Sequence, residues 1–181
     1  VGLRENDMPS QKTCAVFGLG SMGYGMAASC LKAGHIVYGK DLAEEPMNRF
    51  RNEGGASGDV ICHASKIDIV VVVVLNAAQT ESVLFGADGV VPKRKTGAVV
   101  VAFATMAPEF VKGLERRCQS HGVHYLDAPI SGGSKKAAAG ELSIMASGTP
   151  HAFAAAQPVL DAISQTVFEL GDSAGAGSAM K

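Results

Sequence analysis

Apolar positions along the 181 residues change their period repeatedly, and each change marks an element. Lys12 to Gly18 is a short apolar run leading into glycine, the pattern of a buried strand entering a tight turn. From Met22 to Ala33 small and apolar residues return at helical spacing, and Gly34 supplies a stop signal. His35 to Lys40 reads as a second strand, and Glu44 to Asn52 as a polar helix closed by Gly54 and Gly55. Ile67 to Leu75 is the strongest strand, because Val70 to Val74 are consecutive β-branched residues, stiff at χ1. A run that is apolar on both alternate faces belongs inside a sheet covered by helices on each side.

The alternation then repeats as helix (Gln79 to Phe85), strand (Ala98 to Phe103), helix (Pro108 to His121) and strand (Val123 to Asp127). Pro108 suits the first turn of its helix, where no amide hydrogen is needed. Strand and helix in alternation predict an α/β chain with a doubly wound, mostly parallel, Rossmann-like sheet. Leu142 to Ala146, Pro150 to Ile163 and Thr166 to Leu170 continue as strand, helix and strand, and are expected to extend that sheet. Gly171 to Gly177 has the Gly, Ala and Ser composition of a linker. The expected organisation is a tail over 1–11, a dinucleotide-binding domain over 12–171, and over 172–181 the start of an interdomain linker or helix.

Composition narrows the classes. Hydrophobic residues make up 47% and charged residues 18% of the chain, at a mean hydropathy of +0.18, so a packed core is expected and disorder is not. The apolar run from Ile69 to Leu75 is far shorter than the roughly 20 residues of a membrane span. The net charge is −1, and Lys93-Arg94-Lys95, Arg116-Arg117 and Lys135-Lys136 are short and scattered, which argues against nucleic acid as a partner. The four cysteines, Cys14, Cys30, Cys62 and Cys118, lie far apart without metal-ligand spacing, so no metal site is expected and the thiols read as free, in a reducing, cytoplasmic setting. Val1 to Gln11 has no apolar segment of the kind a signal peptide carries.

The first chemistry-bearing motif is Gly18-Leu19-Gly20-Ser21-Met22-Gly23, a G-x-G-x-x-G run between the first strand and the first helix, with Asp41 at the end of the second strand. In that context it predicts a dinucleotide pyrophosphate at the helix N-terminus: Gly18 makes the turn, Gly20 lets backbone approach the phosphates, and Gly23 lets the helix pack on the strand. Asp41 either accepts from the adenosine ribose hydroxyls, which favours NAD over NADP, or is a turn residue capping the helix that opens at Glu44. The cation of Lys40 beside it would offset repulsion of a 2′-phosphate. Tyr24, Tyr38 and Tyr125 are followed four residues later by Ala28, Leu42 and Pro129, so the Tyr-x-x-x-Lys pair of short-chain dehydrogenases is missing. There is no Gly-Lys-Ser/Thr of a P-loop either.

Asp127-Ala128-Pro129-Ile130-Ser131-Gly132-Gly133 forms a second constellation, and Gly175-Ala176-Gly177-Ser178-Ala179-Met180-Lys181 a third. Together with the glycine loop, in this order and spacing, they resemble the β-hydroxyacid dehydrogenase family, which includes 3-hydroxyisobutyrate dehydrogenases and L-threonate dehydrogenases. The resemblance runs from Lys12 onward, and the stretches Asn76 to Gln79, Val83 to Gly86 and Met145 to Gly148 are most similar to the L-threonate branch. It implies that Ser131, Gly132 and Gly133 bind the carboxylate of a small hydroxy acid, and that Lys181 is the catalytic acid–base lysine of a hydride transfer. It also implies cofactor contacts along Gly18 to Gly23 and at Val74, Leu75, Gln79 and Thr105. Here the chain departs from the family in carrying Leu75 for a usual Pro, and Ala102 and Ala104 for polar residues.

The family's C-terminal helical domain, which closes the cleft and supplies most dimer contacts, has no counterpart in these residues. The resemblance therefore implies an isolated cofactor-binding half, weakly active or inactive alone, of a protein that is a homo-oligomer at full length. The expected activity is NAD-dependent oxidation of a 3-hydroxy acid or a sugar acid such as L-threonate. An NADP-dependent semialdehyde reductase and a non-catalytic dinucleotide-binding module are the alternatives, the second disfavoured by a Ser-Gly-Gly loop and a lysine that a sensor would not need.

Overall fold

The computed structural model describes residues 10–181. Val1 to Pro9 lie outside the described residues. Of the expected tail, Gln11 donates from Nε2 to the Gly34 carbonyl oxygen at 2.9 Å.

Thr13–Phe17 (β1), Ile36–Lys40 (β2), Ile69–Val72 (β3), Val99–Ala102 (β4) and His124–Asp127 (β5) form a five-stranded parallel sheet in the order β2-β1-β3-β4-β5. Ser21–Lys32 (α1), Glu44–Asn52 (α2), Ala77–Phe85 (α3) and Pro108–Ser120 (α4) make the connections. Alternate strand side chains point to opposite faces and so feed separate cores. Cys14, Val16, Val71 and Val101 pack with Met26 and Cys30 of α1, and with Phe153, Val159 and Leu160 of a helix over Pro150–Ile163, described below. Ala15, Val70, Val72 and Val100 pack on the other side with Leu84 of α3 and with Val111, Leu114 and Cys118 of α4. The doubly wound expectation holds, with a fully buried β3 at the middle of the sheet.

The valine run pairs over a shorter span than its pattern predicts. After Val72 the chain turns out of the ladder, and Val74 and Leu75 become part of the rim. Asn76 starts α3, its side chain accepting from the Gln79 amide at 2.9 Å.

Past β5 the structure corrects the sequence reading. Ile130–Ser131 (β6), Leu142–Ala146 (β7) and Ser164–Glu169 (β8) do not extend the parallel sheet; they form a separate three-stranded sheet in the order β6-β7-β8. Among the described residues an antiparallel bridge between Asp127 and Ser147 links the two sheets. Pro129 explains the break, since it has no amide hydrogen to continue a ladder, and the chain bends there to pair Ile130 and Ser131 antiparallel with Ile144 and Ser143. Gly133–Ala139 (α5) is a helix in a stretch for which the pattern predicts none, and Ala176–Met180 (α7) is a short helix within 172–181, where a linker or helix is expected to start. The first is closed by Gly140 in the left-handed conformation at φ 72°. Its flank fits α1 closely: a Cβ on Gly25 would come within 2.8 Å of the Ala138 nitrogen. Pro150–Ile163 (α6) opens on Thr149, whose hydroxyl accepts from the Ala152 amide at 3.2 Å. Among the described residues no helix is long and apolar enough to cross a membrane.

Candidate functional site

The sheet fixes where a ligand can lie. From β1 the chain goes to β2 on one side and to β3 on the other, so the crevice at the carboxyl ends of β1 and β3 is the topological switch point. Gly18 to Gly23 leaves β1 there. Gly18 has φ 94°, donates its amide to the Lys40 oxygen at 2.8 Å, and leaves no room for a side chain, because a Cβ would lie 2.0 Å from the Val73 oxygen. A Cβ on Gly23 would lie 1.8 Å from the Gly18 oxygen. Gly20 differs: it is exposed, and a Cβ there would meet nothing within 4 Å among the described residues. Leu19 turns into the core at 3% exposure, Ser21 is exposed, and Met22 is half-buried against the same core.

Asp41, half-exposed after β2, holds this loop in place. Its Oδ2 accepts from the Leu19 amide at 2.7 Å and its Oδ1 from the Ala43 amide at 2.9 Å. The second bond makes a local turn ahead of α2, which opens on Ala43 without a side-chain cap, and the first ties β2 to the glycine loop. Neither bond uses all the lone pairs of the carboxylate. Val74 approaches from β3, with its Cγ1 3.6 Å from a Cβ built on Gly18. Leu75 is 88% exposed, and its amide donates to Gln79 Oε1 at 2.8 Å, which fixes the start of α3. Leu42, which sequence reasoning did not single out, is fully exposed beside Asp41. Thus large bare apolar side chains stand at the ends of both strands that flank β1. Thr105 is exposed after β4, followed by buried Met106.

Ser131, Gly132 and Gly133 are exposed at the start of α5, with the glycines at φ 139° and 75°. Ser131 is held by pairing with Ser143 of β7. Lys181 is exposed at the end of α7.

The start of α7 rests on groups that sequence reasoning left without a role. Asp127, at the end of β5, is 0% exposed. Its Oδ2 accepts from the Ser178 amide at 2.8 Å and the Gly175 amide at 3.2 Å, and its Oδ1 accepts from the Ser178 hydroxyl at 2.7 Å. Ser147, also 0% exposed, accepts at Oγ from the Gly177 and Gly175 amides at 2.9 and 3.2 Å and donates to Asp127 Oδ2 at 3.4 Å. The Met106 amide donates to Ser178 Oγ at 3.4 Å. Burial pushes the Asp127 carboxyl above the ordinary carboxylate range, while the donors from Ser178, Gly175 and Ser147 pull the other way. The only signal in the sequence was an aspartate at a strand end and a glycine-rich stretch far along the chain.

Gly18 to Gly23, Asp41, Val74, Leu75 and Gln79 follow the carboxyl ends of β1, β2 and β3, tied by the Leu19–Asp41 and Leu75–Gln79 bonds, and Thr105, the Ser131 loop and α7 lie after β4 and β5. A cleft of about 370 Å³ opens beside the end of β2, lined by Gly39, Lys40, Met47, Arg51 and Asp59, and not by Ser131 or Lys181. Among the described residues no group of His, Cys, Asp and Glu is arranged to hold a metal ion.

A family model described as the NAD binding domain of 6-phosphogluconate dehydrogenase matches residues 13–171. The chain is 42% identical over 174 residues to an L-threonate dehydrogenase of Pectobacterium atrosepticum, covering 95% of this chain and 57% of that protein. It is 36% identical over 168 residues to a 3-hydroxyisobutyrate dehydrogenase of Pseudomonas aeruginosa, covering 92% of this chain and 56% of that one. A crystal structure of 3-hydroxyisobutyrate dehydrogenase from Salmonella typhimurium superposes with a TM-score of 0.89 at 39% identity, covering 94% of this chain and 60% of that one. The chain thus spans less than two thirds of the length of these relatives.

Proposed function

The chain belongs to the family of the NAD binding domain of 6-phosphogluconate dehydrogenase, within its 3-hydroxyisobutyrate dehydrogenase-like group, and from that membership we propose that it is the cofactor-binding part of an NAD-dependent dehydrogenase of a small 3-hydroxy or sugar acid, L-threonate foremost. One observation supports the reading: the glycine loop and Asp41 follow the carboxyl ends of β1 and β2, beside the topological switch point at which ligands bind in open parallel sheets.

The residues fit a dinucleotide. Gly20 has open space where a Cβ would stand, which lets backbone reach a pyrophosphate, and the amides opening α1 face that side. Asp41 has lone pairs left for ribose hydroxyls and a charge that repels a 2′-phosphate, which favours NAD over NADP. Leu42 and Leu75 offer apolar surface on either side of the glycine loop for an adenine ring to cover, with Val74 and Gln79 beneath. Thr105, exposed after β4, would contact the nicotinamide part of the cofactor.

Bound NAD supplies the hydride acceptor for the alcohol carbon. The chain supplies binding and proton transfer. The Ser131 hydroxyl and the backbone amides of Gly132 and Gly133 hold the substrate carboxylate. Lys181 Nζ, in its neutral form, takes the proton of the reacting hydroxyl and returns it to the oxygen in the reverse direction. The domain over 12–171 would carry the cofactor, 172–181 would lead out of it, and a protein of this kind would work as a homo-oligomer in the cytoplasm.

Parallel titrations with NADH and NADPH, followed by nicotinamide fluorescence, together with assays of L-threonate oxidation, test the reading. NADH bound more tightly than NADPH, with threonate-dependent NADH production, is expected. Tighter NADPH binding would replace it with a semialdehyde reductase, and binding of both coenzymes without turnover of any 3-hydroxy acid would leave a dinucleotide-binding module.

A further inference from the structure

We infer that Asp127 is a positioning residue that sets the location of Lys181, by gripping the first turn of α7 with its buried carboxylate and, with Ser147 and Ser178, tying that turn to the ends of β5 and β7. The inference rests on the reading of Lys181 as the acid–base group.

A helix of five residues cannot hold itself in place, because nucleating one turn fixes several dihedrals for one hydrogen bond. The Gly171 to Gly177 stretch has no large side chain to anchor it, yet Gly177 and Ser178 are buried. What holds them is polar and specific. The Gly175, Gly177 and Ser178 amides have no partner within their own helix, and all are taken by Asp127 and Ser147. Gly175 adopts φ 115°, and a Cβ on Gly177 would stand 2.4 Å from the Met145 oxygen, so the turn lies against the strand ends with no space to shift inward.

The same carboxylate reaches the rest of the edge. Ser178 Oγ donates to Asp127 and accepts from the Met106 amide, next to Thr105. Asp127 also pairs through its backbone with Ser147, both ways, at 3.0 and 2.8 Å, at the point where the chain leaves β5 for Ser131. One buried group thereby fixes the lysine, the threonine segment and the serine loop relative to each other. Asp127 is itself fully buried and its oxygens are engaged, so it does not meet a ligand.

The test uses the protein as its cells produce it, assayed for threonate oxidation at saturating NAD. Asp127→Ala is expected to lower kcat about 100-fold, the scale of a small misplacement of a reacting group, while KM and NADH affinity stay within about twofold. Asp127→Asn keeps an acceptor for the Ser178 and Gly175 amides and is expected to restore kcat to within about tenfold of the parent. Ser178→Ala, which removes a single hydroxyl and should fold even where Asp127→Ala does not, is expected to lower kcat about tenfold at unchanged KM. In hydrogen exchange, protection of the Gly175, Gly177 and Ser178 amides is expected to fall in Asp127→Ala and not in Lys181→Ala. Folded Asp127→Ala or Ser178→Ala with parental kcat, or unchanged exchange at those amides, would overturn the inference. A Lys181→Ala variant with full kcat would instead overturn the assignment of the lysine, and the exchange measurement would still decide whether Asp127 holds the turn.

Discussion

Gly20 and Gly23 make a paired experiment, because the structure assigns them different work although both belong to one motif. A Cβ on Gly23 would sit 1.8 Å from the Gly18 oxygen, 2.9 Å from its carbonyl carbon and 3.3 Å from Val73 Cβ. An ordinary C···O contact is about 3.3 Å or more, so roughly 1.5 Å must be opened. No flexible side chain can give way, since the obstacle is backbone and Gly18 is pinned by its bond to the Lys40 oxygen and by its contact with Val73. Overpacking of this kind costs about 3 kcal/mol, and the better helix propensity of alanine offsets about 1 kcal/mol. A net loss of about 2 kcal/mol corresponds to a Tm lower by about 4–8 °C for a chain of this size.

Gly20 behaves in the opposite way. It caps α1 with φ −66° and ψ −173°, which alanine adopts freely, and a methyl there meets nothing within 4 Å among the described residues. Loss of the glycine cap and the reduced entropy of the unfolded chain nearly cancel, leaving the Tm within about 2 °C of the parent. The methyl would stand between the loop backbone and a pyrophosphate, so NADH affinity should fall 10- to 100-fold, or about 1.4–2.8 kcal/mol. Thermal melts and NADH titrations on Gly20→Ala and Gly23→Ala separate the two effects. A Gly20→Ala protein that binds NADH within twofold of the parent, or a Gly23→Ala protein with an unchanged Tm, would refute the reasoning.

Three further substitutions follow from particular contacts. Asp41→Ser should lower the ratio of NADH to NADPH affinity about tenfold or more by removing the negative charge, and an unchanged ratio in parallel titrations would deny Asp41 its part in selectivity. Asp68 is partly buried, which raises its pKa, but the Lys95 ammonium at 2.5 Å and the Thr13 amide at 2.9 Å outweigh this and hold it below 3.8. A carboxylate with a lowered folded pKa stabilises the fold above its unfolded value and loses that effect as pH falls through the folded one. Asp68→Asn should therefore cost about 1 kcal/mol in denaturant melts at pH 7 and progressively less below the 3.8 of the unfolded group, and equal costs at both ends of that range would contradict it. The Tyr125 hydroxyl is buried without a hydrogen-bond partner among the described residues, so Tyr125→Phe should raise stability by about 1 kcal/mol, and a lower Tm would show that the hydroxyl is satisfied in solution.

The parallel sheet was legible because its signals are local. Valines in sequence, glycines closing helices and Pro108 at a first turn each act within a few residues, and all five parallel strands lie where the pattern predicts. The second sheet was misread because Leu142 to Ala146 carries the same apolar pattern whichever neighbour it pairs with. The choice was made by the missing amide hydrogen of Pro129, upstream of the strand itself. The anchoring of α7 was illegible for a stronger reason. Gly, Ala and Ser give no amphipathic period, and the groups that satisfy its amides, Asp127 and Ser147, come from 51 and 28–30 residues away. The glycine loop and Asp41 could be placed from the sequence, but the Leu19 amide bond to Asp41 could not, because it depends on β1 and β2 being neighbours.

Asp41 and Asp127 do the same structural work at opposite ends of the edge, and their difference in exposure separates their roles. Each sits after or at the end of a parallel strand and accepts backbone amides from a glycine-containing turn that belongs to another part of the chain. Such a bond lets a loop that must stay free of large side chains be held rigidly without an apolar anchor. Asp41 remains half in solvent with acceptor capacity to spare, so it can stabilise its loop and still receive a ligand hydroxyl. Asp127 is sealed, with donors on both oxygens, and any contribution it makes to chemistry must pass through the position of the helix it holds. Substitutions at Asp41 should therefore show first in coenzyme affinity, and substitutions at Asp127 in turnover with affinity preserved. The reverse pattern would mean that exposure is not what divides binding from positioning along this edge.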